Sequence, residues 1–362
     1  MPHDRFLRMS DGTGSPRWRL TRTRRRLLGA AGTIAVVVAV FVFFLPRVAD
    51  YREVLDVVRG LGPQDWLLLV GATLLNLATF PPPWMAALPG LGFRQALAMT
   101  QASTALATVS PAGAAVGMAG SYSMLRSWGF ASAPVGLAVA VTGIWNQLAN
   151  LTFPVVALAL LTAADQDHPA LRTAAIVAVA ILVVVLVSFA LALSRPRRAR
   201  RIGALAARIV SRLRRLVRRG PVSWGAESFV RFRAQTLGLL RRRWHVITLA
   251  TLAGHLTVFV LLLICLRVVG VSSSEVSGVE AFAAWALVRI LGALPLTPAG
   301  VGIVEIGLTG ALVAFGASNA EAVTATLLYR ALSVLPTLAL GLLAAATWKT
   351  HHPDSIESPA DP

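Results

Sequence analysis

Leu294-Pro295-Leu296-Thr297-Pro298-Ala299-Gly300-Val301-Gly302-Ile303-Val304-Glu305 interrupts an apolar region running from about 281 to 316. Proline removes a backbone donor and clashes with the preceding helical turn. Glycine tolerates the left-handed backbone that a break requires. The stretch therefore divides the region into two short apolar helices, 281–294 and 302–316. Each falls short of the roughly 20 residues that cross a bilayer. Irregular backbone at membrane depth persists only against protein or a water-filled cavity, so the pair predicts a re-entrant hairpin with a cavity at its tip.

Outward from this break, six longer apolar blocks predict full crossings: 27–45, 66–88, 135–162, 170–193, 244–269 and 320–348. A second pair of short helices, 93–109 and 113–125, flanks Ser110-Pro111-Ala112-Gly113. The expected fold is an all-α polytopic membrane protein with about six full crossings plus two Pro-Gly-broken re-entrant hairpins. The composition agrees: 56% hydrophobic and only 14% charged, against about 25% charged in soluble domains.

The two breaks belong to an internal repeat at an offset of 187 residues. Pro111-Ala112-Gly113 overlays Pro298-Ala299-Gly300, and Gly120, Leu125, Gly129, Ala133, Ala138 and Leu148 meet identical residues, giving nine identities in 38 positions. Each copy reads crossing, short helix, break, short helix, glycine, crossing. The first copy starts at 66 and the second at 244, with an odd number of crossings between them, so the copies are inverted. Inverted repeats with broken helices belong to transporters, whose site lies near the midplane between the halves.

Charge orients the chain. The formal net charge is +18, and the cations gather beside apolar blocks as positive-inside topology requires. That placement argues against nucleic acid as a partner. Residues 1–26 hold eight Arg, and 195–243 hold 16 Arg with Glu227 as the one acid. Both segments are expected in the cytoplasm. The acids Asp50, Glu53, Asp56, Asp65, Asp165, Asp167, Glu275 and Glu280 fall in segments expected outside. The organisation is then a basic cytoplasmic N-terminus (1–26), a first membrane half (27–193), an Arg-rich amphipathic linker (194–243), a second membrane half (244–349) and a disordered cytoplasmic tail (350–362). The block 27–45 exceeds a signal-peptide core and lacks a small-x-small site after it, so it is expected to stay as a membrane helix. The expected location is the cell membrane, multi-pass, with both termini cytoplasmic. In the linker, Ile202, Leu205, Ile209, Leu213 and Leu216 alternate with Arg201, Arg208, Arg212 and Arg215, a pattern suited to the anionic inner leaflet or to a plain positive-inside loop.

Ionisable groups at membrane depth cost on the order of 2.5–3.5 kcal/mol each and usually face a cavity or a partner. Arg289, Glu305 and Arg330 are the candidates, with Glu305 and Arg330 able to pair. A half-helix starting near Val301 would point its N–H groups into the cavity, where they suit a phosphate; Gly300 and Gly302 permit that geometry, and Gly113 does the same in the first half. Simple close helix packing is the competing role for these glycines. Asn76, Asn146, Gln147 and Asn150 either line a headgroup path or bond neighbouring helices. His255, alone in its segment, reads as a hydrogen-bonded core residue rather than a metal ligand. Pro81-Pro82-Pro83-Trp84 reads as a helix stop with an interfacial aromatic. The sole cysteine, Cys265, rules out an intrachain disulfide. No GxSxG, Walker A loop or HExxH is present, and no catalytic residue, metal ligand or cofactor is expected.

The residues Pro295 to Glu305, followed by Gly316 and Leu328-Tyr329-Arg330, resemble the bacterial flippase-like family, the transmembrane domain of lysylphosphatidylglycerol synthases. The resemblance covers about 27–348. It implies movement of an anionic or modified phospholipid, or a lipid-linked headgroup, between leaflets, with Pro298, Gly300, Gly302, Glu305 and Arg330 at the family's signature positions. Larger members carry a soluble aminoacyl-transferase domain, which this sequence lacks, so synthase activity is not implied. Many members also place an acid after the first break, where this sequence has Met118. The alternatives are a membrane-embedded transferase using Asp50, Glu53 or Asp56 as base, and a scaffold whose linker recruits a separate envelope-lipid enzyme.

Overall fold

A computed structural model describes residues 56, 59–110, 113–164, 169–216, 220, 225–293, 300 and 302–347. The segments 1–26, 27–45 and 350–362, and residues Pro111 and Pro298, lie outside the described residues. The described chain is α-helical: α1 (Pro63–Thr79), α2 (Pro81–Ala87), α3 (Phe93–Val109), α4 (Gly113–Ser127), α5 (Ser132–Ala164), α6 (Pro169–Ser194), α7 (Pro196–Leu216), α8 (Ala226–Val269), α9 (Gly278–Ala293), α10 (Ile303–Phe315) and α11 (Asn319–Thr347). Five stretches are long and apolar enough to cross a membrane: Pro63–Ala87, Ser132–Ala163, Arg172–Leu191, Glu227–Val269 and Asn319–Thr347. They match the predicted crossings at 66–88, 135–162, 170–193, 244–269 and 320–348. The protein is an all-α polytopic membrane protein.

Two boundaries go beyond expectation. The prolines at 81–83 stop one helix, as expected, and also start another. Phe80 closes α1, and α2 begins at Pro81, where the missing N–H costs nothing in a first turn. Trp84 is half-buried against the cluster that holds Leu88 and Met99. The linker also has no break before the next crossing. Residues 226–243 are the first turns of α8 itself, because arginine and leucine are good helix formers whatever their solvent.

Local signals set the helix ends around the second break. Ser277 and Glu280 exchange capping bonds at the start of α9 (Ser277 N–H to Glu280 Oε2, 2.8 Å). Ser318 and Glu321 do the same at the start of α11. Such reciprocal caps satisfy two donors that a helix start leaves open. At 13 residues α10 rises about 20 Å, and at 16 residues α9 rises about 24 Å, short of the roughly 30 Å hydrocarbon core. Their outer ends meet: a Cβ on Gly316, after α10, would lie 2.7 Å from the Glu275 carbonyl, just before α9. The hairpin therefore enters and leaves at one end of the bundle.

The repeat is written into the backbone. Gly129 N–H donates to Arg126 O and Phe130 N–H to Leu125 O. At the same offset of 187, Gly316 N–H donates to Val313 O and Ala317 N–H to Leu312 O. Both glycines have positive φ, 89° and 126°, as this helix-ending motif demands. The pair Val135 to Ala131 also recurs as Ala322 to Ser318. The packing is exchanged between halves: α11 lies on α3, and α5 lies on α9. Moreover, α5 ascends beside α8, with Trp145 Nε1 donating to Thr248 Oγ1 and Asn146 meeting His255. Gly129, before α5, thus sits at the N-terminal end of α8, and Gly316 sits at its C-terminal end. The halves are inverted.

The main core joins α8, α9, α5 and α11 around Phe153, Phe282 and Trp285, rings 5.2–6.1 Å apart. A second cluster of Leu88, Met99, Leu125, Trp128 and Val135 closes the Gly129 end. The side chains of α6 are mostly exposed, Val184 by 63%, as expected of a helix facing lipid.

Candidate functional site

Arg289 lies eleven residues into α9, Arg330 eleven into α11, and Glu305 ten before the end of α10. All three helices share the Gly316 end of the bundle. Each side chain therefore sits about 15–17 Å along its helix from that end, about half the span of a 30 Å hydrocarbon layer.

Glu305 and Arg330 pair as expected. Arg330 Nε donates to Glu305 Oε1 at 2.6 Å, with the carboxylate side chain 5% exposed. The second oxygen, Oε2, accepts the Gly302 N–H at 2.6 Å. Burying two charges costs several kcal/mol per ion and holds only when the remaining valences are filled; here both carboxylate oxygens are. The geometry depends on Gly302, whose φ of 83° disfavours a side chain. Gly300, also buried, has φ 66°. The N-terminus of α10 thus already holds an anion, the protein's own Glu305.

Gly113 plays a packing role. Its N–H donates to Ser110 O, and a Cβ there would lie 3.0 Å from Ala107 O. Gly117 approaches Ser103 O as closely, at 2.9 Å. These contacts let α3 and α4 close tightly into the first hairpin.

A second polar cluster adjoins the ion pair. Arg289 Nη2 donates to Asn150 Oδ1 (2.6 Å) and to His255 Nδ1 (2.8 Å), and its guanidinium lies 4.8 Å from the centre of the Trp285 ring. An arginine only donates, so Nδ1 of His255 accepts and carries no proton. His255 Nε2, 3.1 Å from Asn146 Oδ1, is then the protonated nitrogen, and His255 is neutral. The residue read as a hydrogen-bonded core histidine is one, and its bonds make it the joint between α5, α8 and α9. Nothing in its own segment signals this, because its partners stand 34 and 109 residues away. Asn76 bonds Thr257 Oγ1 (3.2 Å), tying α1 to α8, whereas Gln147 is exposed on α5.

Between the pair and the cluster lies a cavity of about 240 Å³, lined by Asn150, Trp285, Arg289, Leu308, Tyr329 and Arg330 among others. Its walls come from α5, α9, α10 and α11, so both halves contribute.

The family model described as lysylphosphatidylglycerol synthase TM region matches residues 31–341. The chain belongs to this family. No curated protein matches the chain significantly. The family match spans both halves of the repeat and the linker between them, so the site just described lies within it. Among the described residues, no three His, Cys, Asp or Glu side chains group as a metal would require.

Proposed function

We propose that this chain moves an anionic or modified phospholipid, or a lipid-linked headgroup, between the leaflets of the cell membrane. One observation carries the proposal: a cavity at membrane depth, walled by both inverted halves, with two arginines on its surface and the buried Glu305–Arg330 pair at its edge. A purely structural ion pair would sit in closed packing. This one borders space and a glycine-built helix break, the arrangement that transporters use for a central site. Membership of the lysylphosphatidylglycerol synthase TM region family supports a lipid as cargo.

In this mechanism Glu305 competes with the cargo phosphate. Bound to Arg330 and the Gly302 N–H, the carboxylate closes the α10 terminus; a phosphate entering the adjoining cavity weakens that hold and frees α10 to shift. The Arg-rich side of the bundle, with both termini, faces the cytoplasm, and α7 rests on the anionic inner leaflet. The protein performs no chemistry on the lipid. A separate envelope-lipid enzyme makes or uses the cargo.

The test is leaflet exchange. Purified protein is reconstituted with fluorescent phospholipids of differing headgroup charge, and the label protected from an external quencher is followed. Faster loss of protection than in empty vesicles is expected for anionic lipids. Rates equal to empty vesicles for every headgroup would refute the proposal.

A further inference from the structure

Arg289 is a cation whose charge the surrounding protein leaves open. No carboxylate lies within 4 Å of it among the described residues. Its guanidinium carries five N–H donors, and the described residues engage only Nη2, through Asn150 and His255. The buried Nε has no hydrogen-bond partner among the described residues. The neighbouring charges do not compensate it either: Glu305 is matched by Arg330, and His255 is held neutral by the bonds it makes. The cavity wall therefore carries a net single positive charge at the depth where such a charge is most costly.

The same groups fix the cation in place. Asn150 and His255 occupy one edge of the guanidinium, and the Trp285 ring covers it at 4.8 Å. Nη1, with two N–H donors and no hydrogen-bond partner among the described residues, stays open to an oxygen of a phosphate or carboxylate. The adjoining cavity of about 240 Å³ is many times the space one water needs. It is large enough to take the phosphate of a headgroup.

We infer that Arg289 is the anion ligand of this site, taking a singly charged phosphate ester through its uncompensated charge and the open Nη1 of its guanidinium. His255 and Asn150 act as positioning residues that present it. The Glu305–Arg330 pair, already self-satisfied, serves to close the site rather than to supply its charge selectivity. The inference rests on the lipid-moving proposal for one element only, that the phosphate belongs to a lipid headgroup.

Binding is measured by calorimetry on the detergent-solubilised full chain, with dihexanoyl-phosphatidylglycerol, dihexanoyl-phosphatidylcholine and inorganic phosphate as probes. The unmodified chain should bind the anionic short-chain lipid more tightly than the zwitterionic one. Arg289→Gln should weaken the anionic probe by on the order of tenfold to a hundredfold, the loss typical of a charged hydrogen-bond partner, and should erase the preference. Equal affinity for the anionic probe in the unmodified chain and in a monodisperse Arg289→Gln variant would overturn the inference. If Arg289→Gln does not fold, Arg289→Lys decides: it keeps the charge but loses the planar guanidinium that Asn150, His255 and Trp285 hold in place, so the anionic probe should bind about tenfold more weakly, and an unchanged affinity would overturn the inference. Inorganic phosphate binding as tightly as the lipid would keep the anion site but contradict the headgroup assignment. Arg289-dependent binding in a protein that exchanges no lipid would sink the transport proposal and leave the site standing.

Discussion

Met118 packs on Gly143 at the two positions that Glu305 and Arg330 occupy 187 residues later: a Cβ on Gly143 would lie 3.5 Å from Met118 Sδ. The repeat thus preserves a helix–helix contact between the second arm of each hairpin and the crossing after it. Only the chemistry differs, apolar in the first half and ionic in the second. The fold accepts either kind of contact at this place, so the ion pair is not required for the architecture.

That equivalence predicts how the ion pair responds to substitution. Glu305→Met alone leaves Arg330 buried and unmatched, and Arg330→Gly alone leaves Glu305 so; each should cost about 3–5 kcal/mol, as broken buried pairs do. The double variant, which reproduces the first half, should recover much of that loss. Thermal denaturation in detergent measures it, and additive losses would contradict the equivalence.

The close crossing of α11 on α3 makes Gly341 intolerant. A Cβ there would overlap that of Ala105 and approach the Gln101 carbonyl to 2.9 Å. Gly341→Val should lower stability by about 1–3 kcal/mol, as overpacking does. Gly71→Ala, where an added Cβ meets nothing within 4 Å, should be neutral or slightly stabilising. Melting temperatures of the two variants check the contrast.

The amphipathic helix α7 should respond to lipid charge. Its Ile202, Leu205 and Ile209 are exposed on one face, and it is tied to α8 by Arg200–Glu227 at 2.9 Å. Amide exchange over 196–216 should slow in anionic vesicles relative to zwitterionic ones, and Leu205→Asp should remove the difference. Exchange indifferent to lipid charge would count against inner-leaflet docking.

Hairpin breaks, crossings and the inverted repeat were legible because each rests on a local signal. Proline and glycine mark a break by their own backbone, and apolar length marks a span. The Glu305–Arg330 pair was legible because charges at membrane depth are few and must find one another. What escaped was what depends on neighbours from elsewhere in the chain. His255 has no partner in its own helix, and its role exists only where α5 and α9 bring Asn146 and Arg289 to it. Gly113 was open between packing and anion binding, and the nearness of Ala107 O shows the packing contact. At Pro81 the sequence pattern for a stop and for a start is the same, and the structure has both: α1 ends at Thr79 and α2 begins at Pro81.

The central claim is that lipid passes through a site whose chemistry lies in the second half of the repeat. It is tested most directly by leaflet exchange of a fluorescent anionic phospholipid in vesicles carrying the unmodified chain, Glu305→Gln or Met118→Leu, with matched protein content. The account predicts exchange slowed by about tenfold or more in Glu305→Gln, as loss of a buried charged partner implies, and unchanged in Met118→Leu. Equal exchange in all three, or a loss confined to Met118→Leu, would contradict it.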